Sequence, residues 1–212
     1  MRVGRGAVAI DAFLRSFAFS VLLSLSCVIL AAPHAWALLK GFDAFELLNL
    51  IYNLMVAFLF LIRTRPSLVS MSPVHWAVAL LTSVSGFFFV RNDLPPAAAL
   101  WLIGDTLIGV GILLALTAAL ILGRSFDLFP ALRRVKTRYV YQIVRHPIYL
   151  SALVLRLGYV LKNPSLYNAV LLLFVAVLYD RRAKYEEDIL SHDRSYVEYL
   201  QQVKYRFVPG IY

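Results

Sequence analysis

The chain has a single cysteine, Cys27, among 212 residues, so an internal disulfide is excluded. It has no Cys/His spacing suited to a metal, no Walker loop or GxGxxG element, and no Ser/His pairing that reads as a triad. No internal repeat or low-complexity tract divides it. Charge is scarce: only 16% of residues are Asp, Glu, Lys or Arg, against 61% hydrophobic. That shortage excludes an ordinary soluble domain.

What is abundant is long apolar sequence. Several runs of roughly 15–25 residues suit bilayer-crossing helices. The pattern predicts spans over Phe13–Ala32, Phe45–Ile62, Val74–Val90, Ala97–Leu122, Pro147–Leu161 and Leu166–Tyr179. Pro95-Pro96 stops the third, and Asn163-Pro164-Ser165 is a turn that makes a helical hairpin of the last two. The charged start and Ala35-Trp36-Ala37 imitate a cleaved signal peptide, but the later spans favour a retained anchor. Asp180–Tyr212 is polar and Tyr-rich, predicted to be partly helical on the membrane surface. The expectation is all-α: one polytopic membrane helix bundle over residues 1–212, with five or six spans and a cytoplasmic C-terminal cofactor-binding segment.

The net charge of +9 is uneven, with fourteen of the twenty-one Lys/Arg lying in residues 123–212. The basic residues cluster where spans leave the membrane, which points to membrane lipids as partners and away from nucleic acid. Arg2, Arg5 and Arg15 precede the first span, and Arg63 and Arg65 follow the second. Arg124, Arg133, Arg134, Lys136 and Arg138 follow the fourth, and Arg181, Arg182 and Lys184 follow the last. Opposite loops hold only Lys40, Arg91 and Lys162. The positive-inside rule then makes both termini cytoplasmic, in a bacterial inner membrane or an ER-like one.

Two polar knots stand out on that side. In Arg145-His146-Pro147-Ile148-Tyr149, Pro147 suits the first position of a helix and His146 its N-cap, so cationic side chains adjoin unpaired N–H groups. Such a place accepts a carboxylate or phosphate. About forty residues later comes Arg182-Ala183-Lys184-Tyr185-Glu186-Glu187. The two knots are expected to face each other and hold one charged cofactor.

From Leu122 onward the order of motifs resembles the isoprenylcysteine carboxyl methyltransferases and related phospholipid methyltransferases, integral membrane enzymes that use S-adenosylmethionine. Leu122-Gly123-Arg124-Ser125-Phe126 is similar to their "LGRxxS/F" start, followed by the Arg-His-Pro-Ile-Tyr element and Asn163-Pro164-Ser165. Arg182–Glu187 is similar to "RIxxEE", and Tyr196, Tyr199 and Arg206-Phe207-Val208-Pro209 to "YxxY…RFIP". Residues 1–122 then supply N-terminal spans, and 123–212 the methyltransferase signature. The chain departs from the family at Tyr139-Val140-Tyr141-Gln142, where Gly-Pro-Tyr-Arg is usual, so a differently shaped covering loop is expected. Ser151 and Gln202 stand where Gly and Arg are common.

The resemblance implies a site for S-adenosylmethionine. Arg145 and His146 offer charge and donors to its carboxylate, while Glu186 and Glu187 accept from ribose hydroxyls or the ammonium. Tyr139, Tyr141 and Tyr149 offer flat faces, and Arg182 completes the cofactor set. Glu187 and Arg206 are the candidates for positioning the methyl acceptor, a lipophilic or small membrane-permeant molecule, isoprenylcysteine-carboxylate-like or phospholipid-like. Its identity, the atom methylated and the oligomeric state stay open. A catalytically silent relative that binds lipid or serves a membrane complex is the alternative. A transporter is disfavoured because polar residues gather at one face rather than at mid-membrane.

Plainer accounts exist for each residue. His146 can be a simple cap, Arg182 and Glu186 a solvated i,i+4 pair, Glu187 a surface charge, and Tyr196 and Tyr199 part of an interfacial belt. Two charges fall inside spans, Asp105 and Arg156. They are expected to pair or to line the acceptor path, with snorkelling the plainer account for Arg156.

Overall fold

The computed structural model describes residues 5–92 and 97–211, with side chains from Ile10 onward. Arg2, the Arg5 side chain, Asp93 and the Pro95-Pro96 stop lie outside the described residues. The helices are α1 (Arg5–Leu14), α2 (Phe17–Lys40), α3 (Ala44–Ile62), α4 (Pro73–Val84), α5 (Ala98–Leu122), α6 (Pro147–Lys162), α7 (Leu166–Leu190) and α8 (Arg194–Gln202). The only strands among these residues are β1 (Leu68–Val69) and β2 (Ala131–Leu132), an antiparallel clasp pairing Leu68 with Leu132 and Val69 with Ala131. The fold is all-α, as its composition implied.

Phe17–Lys40, Ala44–Ile62 and Ala98–Ser125 are long and apolar enough to cross a membrane. The first begins four residues later than expected and runs eight further. Ser16 sets its start by accepting from the Phe19 N–H at 3.1 Å, and Pro33 is absorbed within it. Large apolar side chains remain outward, including Ile29 (71% exposed), Leu102 (68%) and Leu173 (69%), as lipid contact requires.

The contacts place the helix ends on two sides. The start of α2, the ends of α3 and α5 and the start of α6 meet on one side, tied by Thr64 N–H to Arg124 O (2.9 Å) and Tyr141 OH to Ala118 O (3.3 Å). There Asp127 bridges Arg63 (2.6 Å) and Arg133 (2.5 Å). On the other side Asn168 holds the α6–α7 turn against the chain leaving α4, through Val90 N–H, Val90 O and Asn163 O.

Small residues let α5 and α6 touch backbone to backbone. A Cβ built on Gly158 would lie 2.6 Å from Gly104 O, and one on Gly111 would lie 2.9 Å from Leu155 N. This antiparallel register puts Asp105 across from Lys162, which it pairs with at 2.5 Å. The expected Asp105–Arg156 pair is therefore not formed. Arg156 does not snorkel, and among the described residues it pairs with no carboxylate. It is 9% exposed and donates to Ser85 Oγ (2.8 Å), Ala152 O (3.0 Å) and Thr82 O (3.3 Å), with its carbon centre 5.4 Å from the Tyr179 ring. Two of these acceptors lie where α4 ends: Thr82 O in its last turn, and Ser85 Oγ at the start of the 3-10 turn Ser85–Phe88 that follows it.

The C-terminal region also differs from expectation. Instead of a separate surface segment after Tyr179, α7 continues as one helix through Leu190, carrying the second knot on its polar end. The chain then turns through α8 and comes back to the start of α6, where Arg145 N–H donates to Tyr205 O (2.9 Å) and His146 N–H to Arg206 O (3.1 Å). Tyr196 and Tyr199 are each 3% exposed and pack with Val203 beneath this return, so they are core residues and not an interfacial belt.

Candidate active site

Three stretches distant in sequence converge: the N-terminus of α6, the polar end of α7 and the returning tail. Pro147 starts α6 as expected, and His146 holds the N-cap position without a side-chain cap bond, which frees its ring to point at α7. Its Nε2 lies 3.1 Å from Glu187 Oε1 and its Nδ1 3.7 Å from Glu186 Oε2. The ring stacks on Tyr149 at 5.2 Å with an interplanar angle of 2°. Tyr149 OH donates to Glu186 Oε2 at 2.6 Å.

Glu187 is the hub. Arg206 grips it with two bonds, Nη2 to Oε2 (2.7 Å) and Nε to Oε1 (3.1 Å), and reaches Asp180 with Nη1 (3.0 Å). Arg145 Nε stands 2.9 Å from Oε1 as a charge contact without hydrogen-bond alignment. Burial alone pushes the Glu187 carboxyl up. Hydrogen bonds from His146 and Arg206, and the charges of His146 and Arg145, outweigh it and hold the group down at about 2. Glu187 is thus a permanent anion near neutrality, suited to aligning cations and not to carrying protons.

The sign of this shift gives a stability prediction. A carboxyl held at about 2 in the fold, against an ordinary 4.5, contributes stability above pH 4.5 and loses it as pH falls toward 2. The difference corresponds to about 3 kcal/mol. Thermal unfolding of the detergent-solubilised protein should show this acid-side loss, and Glu187→Gln should flatten it; equal slopes would refute the assignment.

Arg145, His146, Tyr149, Glu186, Glu187 and Arg206 are brought together. The other candidates lie elsewhere. Arg182, 7% exposed, turns from the acids toward α4, donating to Thr82 Oγ1 (2.7 Å) and Leu128 O (2.6 Å), with its carbon centre 5.1 Å from the Tyr149 ring. It is no solvated partner of Glu186. Tyr141 is buried against α5, and its carbonyl accepts from Tyr199 OH at 2.5 Å. Tyr139 is 72% exposed with φ of 56°, a left-handed backbone at the position where Gly is usual in the resembled motif. A tyrosine thus occupies a backbone conformation that ordinarily favours glycine.

Beside the hub lies a hollow of about 400 Å³, lined by Arg145, Lys184, Lys204, Tyr205, Arg206 and Ile211. Lys204, Tyr205 and Ile211 carried no expectation from sequence. Asp180, which holds Arg206 and Lys184 (2.8 Å), was also missed, although it is the first charge after the apolar run of α7. Phe207 sits in a quoted motif and packs its ring 6.2 Å from His146.

A membrane helix bundle with a polyionic site at one end is the class this arrangement defines. The family model for phospholipid methyltransferase matches residues 100–194. Protein-S-isoprenylcysteine O-methyltransferase B of Arabidopsis thaliana is 35% identical over 143 residues, covering 61% of this chain and 71% of that protein. The chain belongs to this family of membrane methyltransferases.

Proposed function

We propose that the chain is an S-adenosylmethionine-dependent methyltransferase of the membrane, acting on a lipophilic or small membrane-permeant acceptor of the isoprenylcysteine-carboxylate or phospholipid kind. The observation that carries this reading is the direct joining of the two knots, His146 to Glu187 at 3.1 Å, beside a basic hollow of about 400 Å³. In the proposed topology α4, α6 and the apolar part of α7 also cross the membrane, and both termini and the site lie on the cytoplasmic side, because the Lys/Arg excess gathers there.

The residues present suit the cofactor. Lys204 and Arg145 line the hollow and supply positive charge for a carboxylate. Glu186, with its side chain 32% exposed, has acceptor capacity left for an ammonium or ribose hydroxyls. When bound, S-adenosylmethionine supplies an electrophilic methyl on a cationic sulfur. The chain's task is alignment and exclusion of water, since displacement at carbon needs no acid–base residue from the protein beyond the acceptor's own ionisation. Glu187 fixes His146, Arg145 and Arg206 as one rigid unit. Arg206 is the proposed positioning group for the acceptor, and Arg182 holds Tyr149 from behind.

Calorimetric titration of the detergent-solubilised chain with S-adenosylhomocysteine tests the reading. One-site heat with a dissociation constant on the order of micromolar is expected. No heat would instead favour a catalytically silent relative.

A further inference from the structure

A second basic cleft lies away from the hub, between the start of α2 and the turn following α3. It encloses about 150 Å³, and Arg15, Ser16, Ser20, Arg63 and Arg65 line it, with Phe17 at its rim. None of the residues around the first hollow takes part in it.

Its charges are unequally committed. Arg63 is locked: Nε donates to Ser20 Oγ (2.7 Å), Nη1 to Asp127 (2.6 Å) and Nη2 to Leu14 O (3.0 Å), leaving its side chain 3% exposed. Arg15 pairs with Asp11 at 2.9 Å and donates to Pro66 O (3.1 Å) and Ser67 O (2.9 Å). Arg65 is exposed and has no ion pair among the described residues. Asp127 is shared with Arg133, so the acids near the cleft do not balance its three guanidinium groups. The first turn of α2 adds N–H groups that no carbonyl within the helix can take, and Ser16 caps only that of Phe19.

The surroundings are apolar. Phe17 is 65% exposed, and Phe13 (45%) and Ile10 (42%) continue an outward apolar face along α1. A cationic cleft with an apolar apron, at the side where three spans end, suits an amphiphile: an anionic head in the cleft and hydrocarbon against the phenylalanines.

We propose that this cleft binds the phosphate headgroup of an anionic phospholipid from the leaflet on the basic side. The proposal rests on the membrane reading given above but not on methyl transfer, so its test uses no turnover.

The full-length protein in neutral detergent is titrated with dioleoylphosphatidylglycerol, with dioleoylphosphatidylcholine, or with inorganic phosphate, and bound lipid is counted by native mass spectrometry. Phosphatidylglycerol should be retained as one tight adduct in preference to phosphatidylcholine. Arg65→Gln should weaken that adduct about 5-fold, the equivalent of about 1 kcal/mol for one arginine near a membrane surface. Because Arg65 has no described ion pair, its circular dichroism should stay that of the parent protein. Arg91→Gln, exposed at the opposite end, should leave occupancy unchanged. Equal retention of phosphatidylcholine, or an Arg65→Gln adduct as tight as the parent's, overturns the proposal. Displacement of the adduct by inorganic phosphate at equal concentration overturns it too, by marking a general anion site.

Discussion

Glu187→Gln is expected to reduce methyl transfer at least about 100-fold and to cost about 3 kcal/mol of stability. The carboxylate is the counter-ion of Arg145 and Arg206 and the hydrogen-bond partner of His146, and its side chain is 12% exposed. Removing its charge leaves cationic groups crowded together with less solvent to screen them. The amide of Gln can accept at one atom only, so the paired grip of Arg206, at 2.7 and 3.1 Å, is broken. The neighbouring Glu186→Gln provides the contrast. It loses an ionised acceptor for Tyr149 OH, but that side chain is 32% exposed and solvent can make up part of the loss. Its melting temperature should stay close to the parent's while S-adenosylhomocysteine affinity falls. Melting temperature and turnover measured on both variants separate these roles. A Glu187→Gln protein that melts and turns over normally would remove Glu187 from the centre of the site.

Gly158→Leu should abolish the folded protein. The added Cβ alone would meet Gly104 O at 2.6 Å, Ile108 Cγ1 at 2.9 Å and Ile108 N at 3.0 Å. Two of these contacts are backbone, so no rotamer change relieves them, and α5 and α6 must separate. Overpacking of this kind costs about 1–3 kcal/mol even where side chains can adjust. Here separation also pulls Lys162 from Asp105 and tilts the helix that bears His146. Gly109→Ala is the matched control: its Cβ would meet only Phe45 Cε1, at 3.4 Å, and alanine favours the helix by about 0.5–1 kcal/mol. Thermal unfolding in detergent should therefore show Gly109→Ala at or above the parent and no cooperative transition for Gly158→Leu. A cooperative Gly158→Leu protein would show that the crossing is looser than described.

The apolar runs that became α2, α3 and α5 were legible because length and hydropathy decide such helices locally. Their ends were less so: a single hydroxyl, that of Ser16, moved the start of α2. Where a charge inside a span goes was not legible at all. Asp105 and Arg156 were natural partners on paper, yet the register at Gly104 and Gly158 assigned Asp105 to Lys162 and left Arg156 to oxygens near the end of α4. Those oxygens belong to residues more than seventy positions away, and no local pattern carries that distance. The site divides in the same way. The motif order singled out Arg145, His146, Tyr149, Glu186, Glu187 and Arg206, which the fold assembles. Arg182 occurs in the same motif, but helical rotation turns it toward Thr82. Asp180 and Lys204 belong to none of the motifs singled out; an i,i+4 pairing with Lys184 was open to Asp180, but only the path of the returning tail brings it Arg206 and sets Lys204 at the hollow.

The continuity of α7 makes it a ruler. Glu187 stands eight positions beyond Tyr179 on one unbroken helix, about 12 Å along its axis at 1.5 Å per residue. The bundle would thereby fix, under the proposed function and topology, how far from the hydrocarbon the reactive atom of an acceptor must be presented. Under the proposed function, amphiphiles with the right chemistry but a spacer too long or too short between tail and acceptor atom would be sorted out by depth alone.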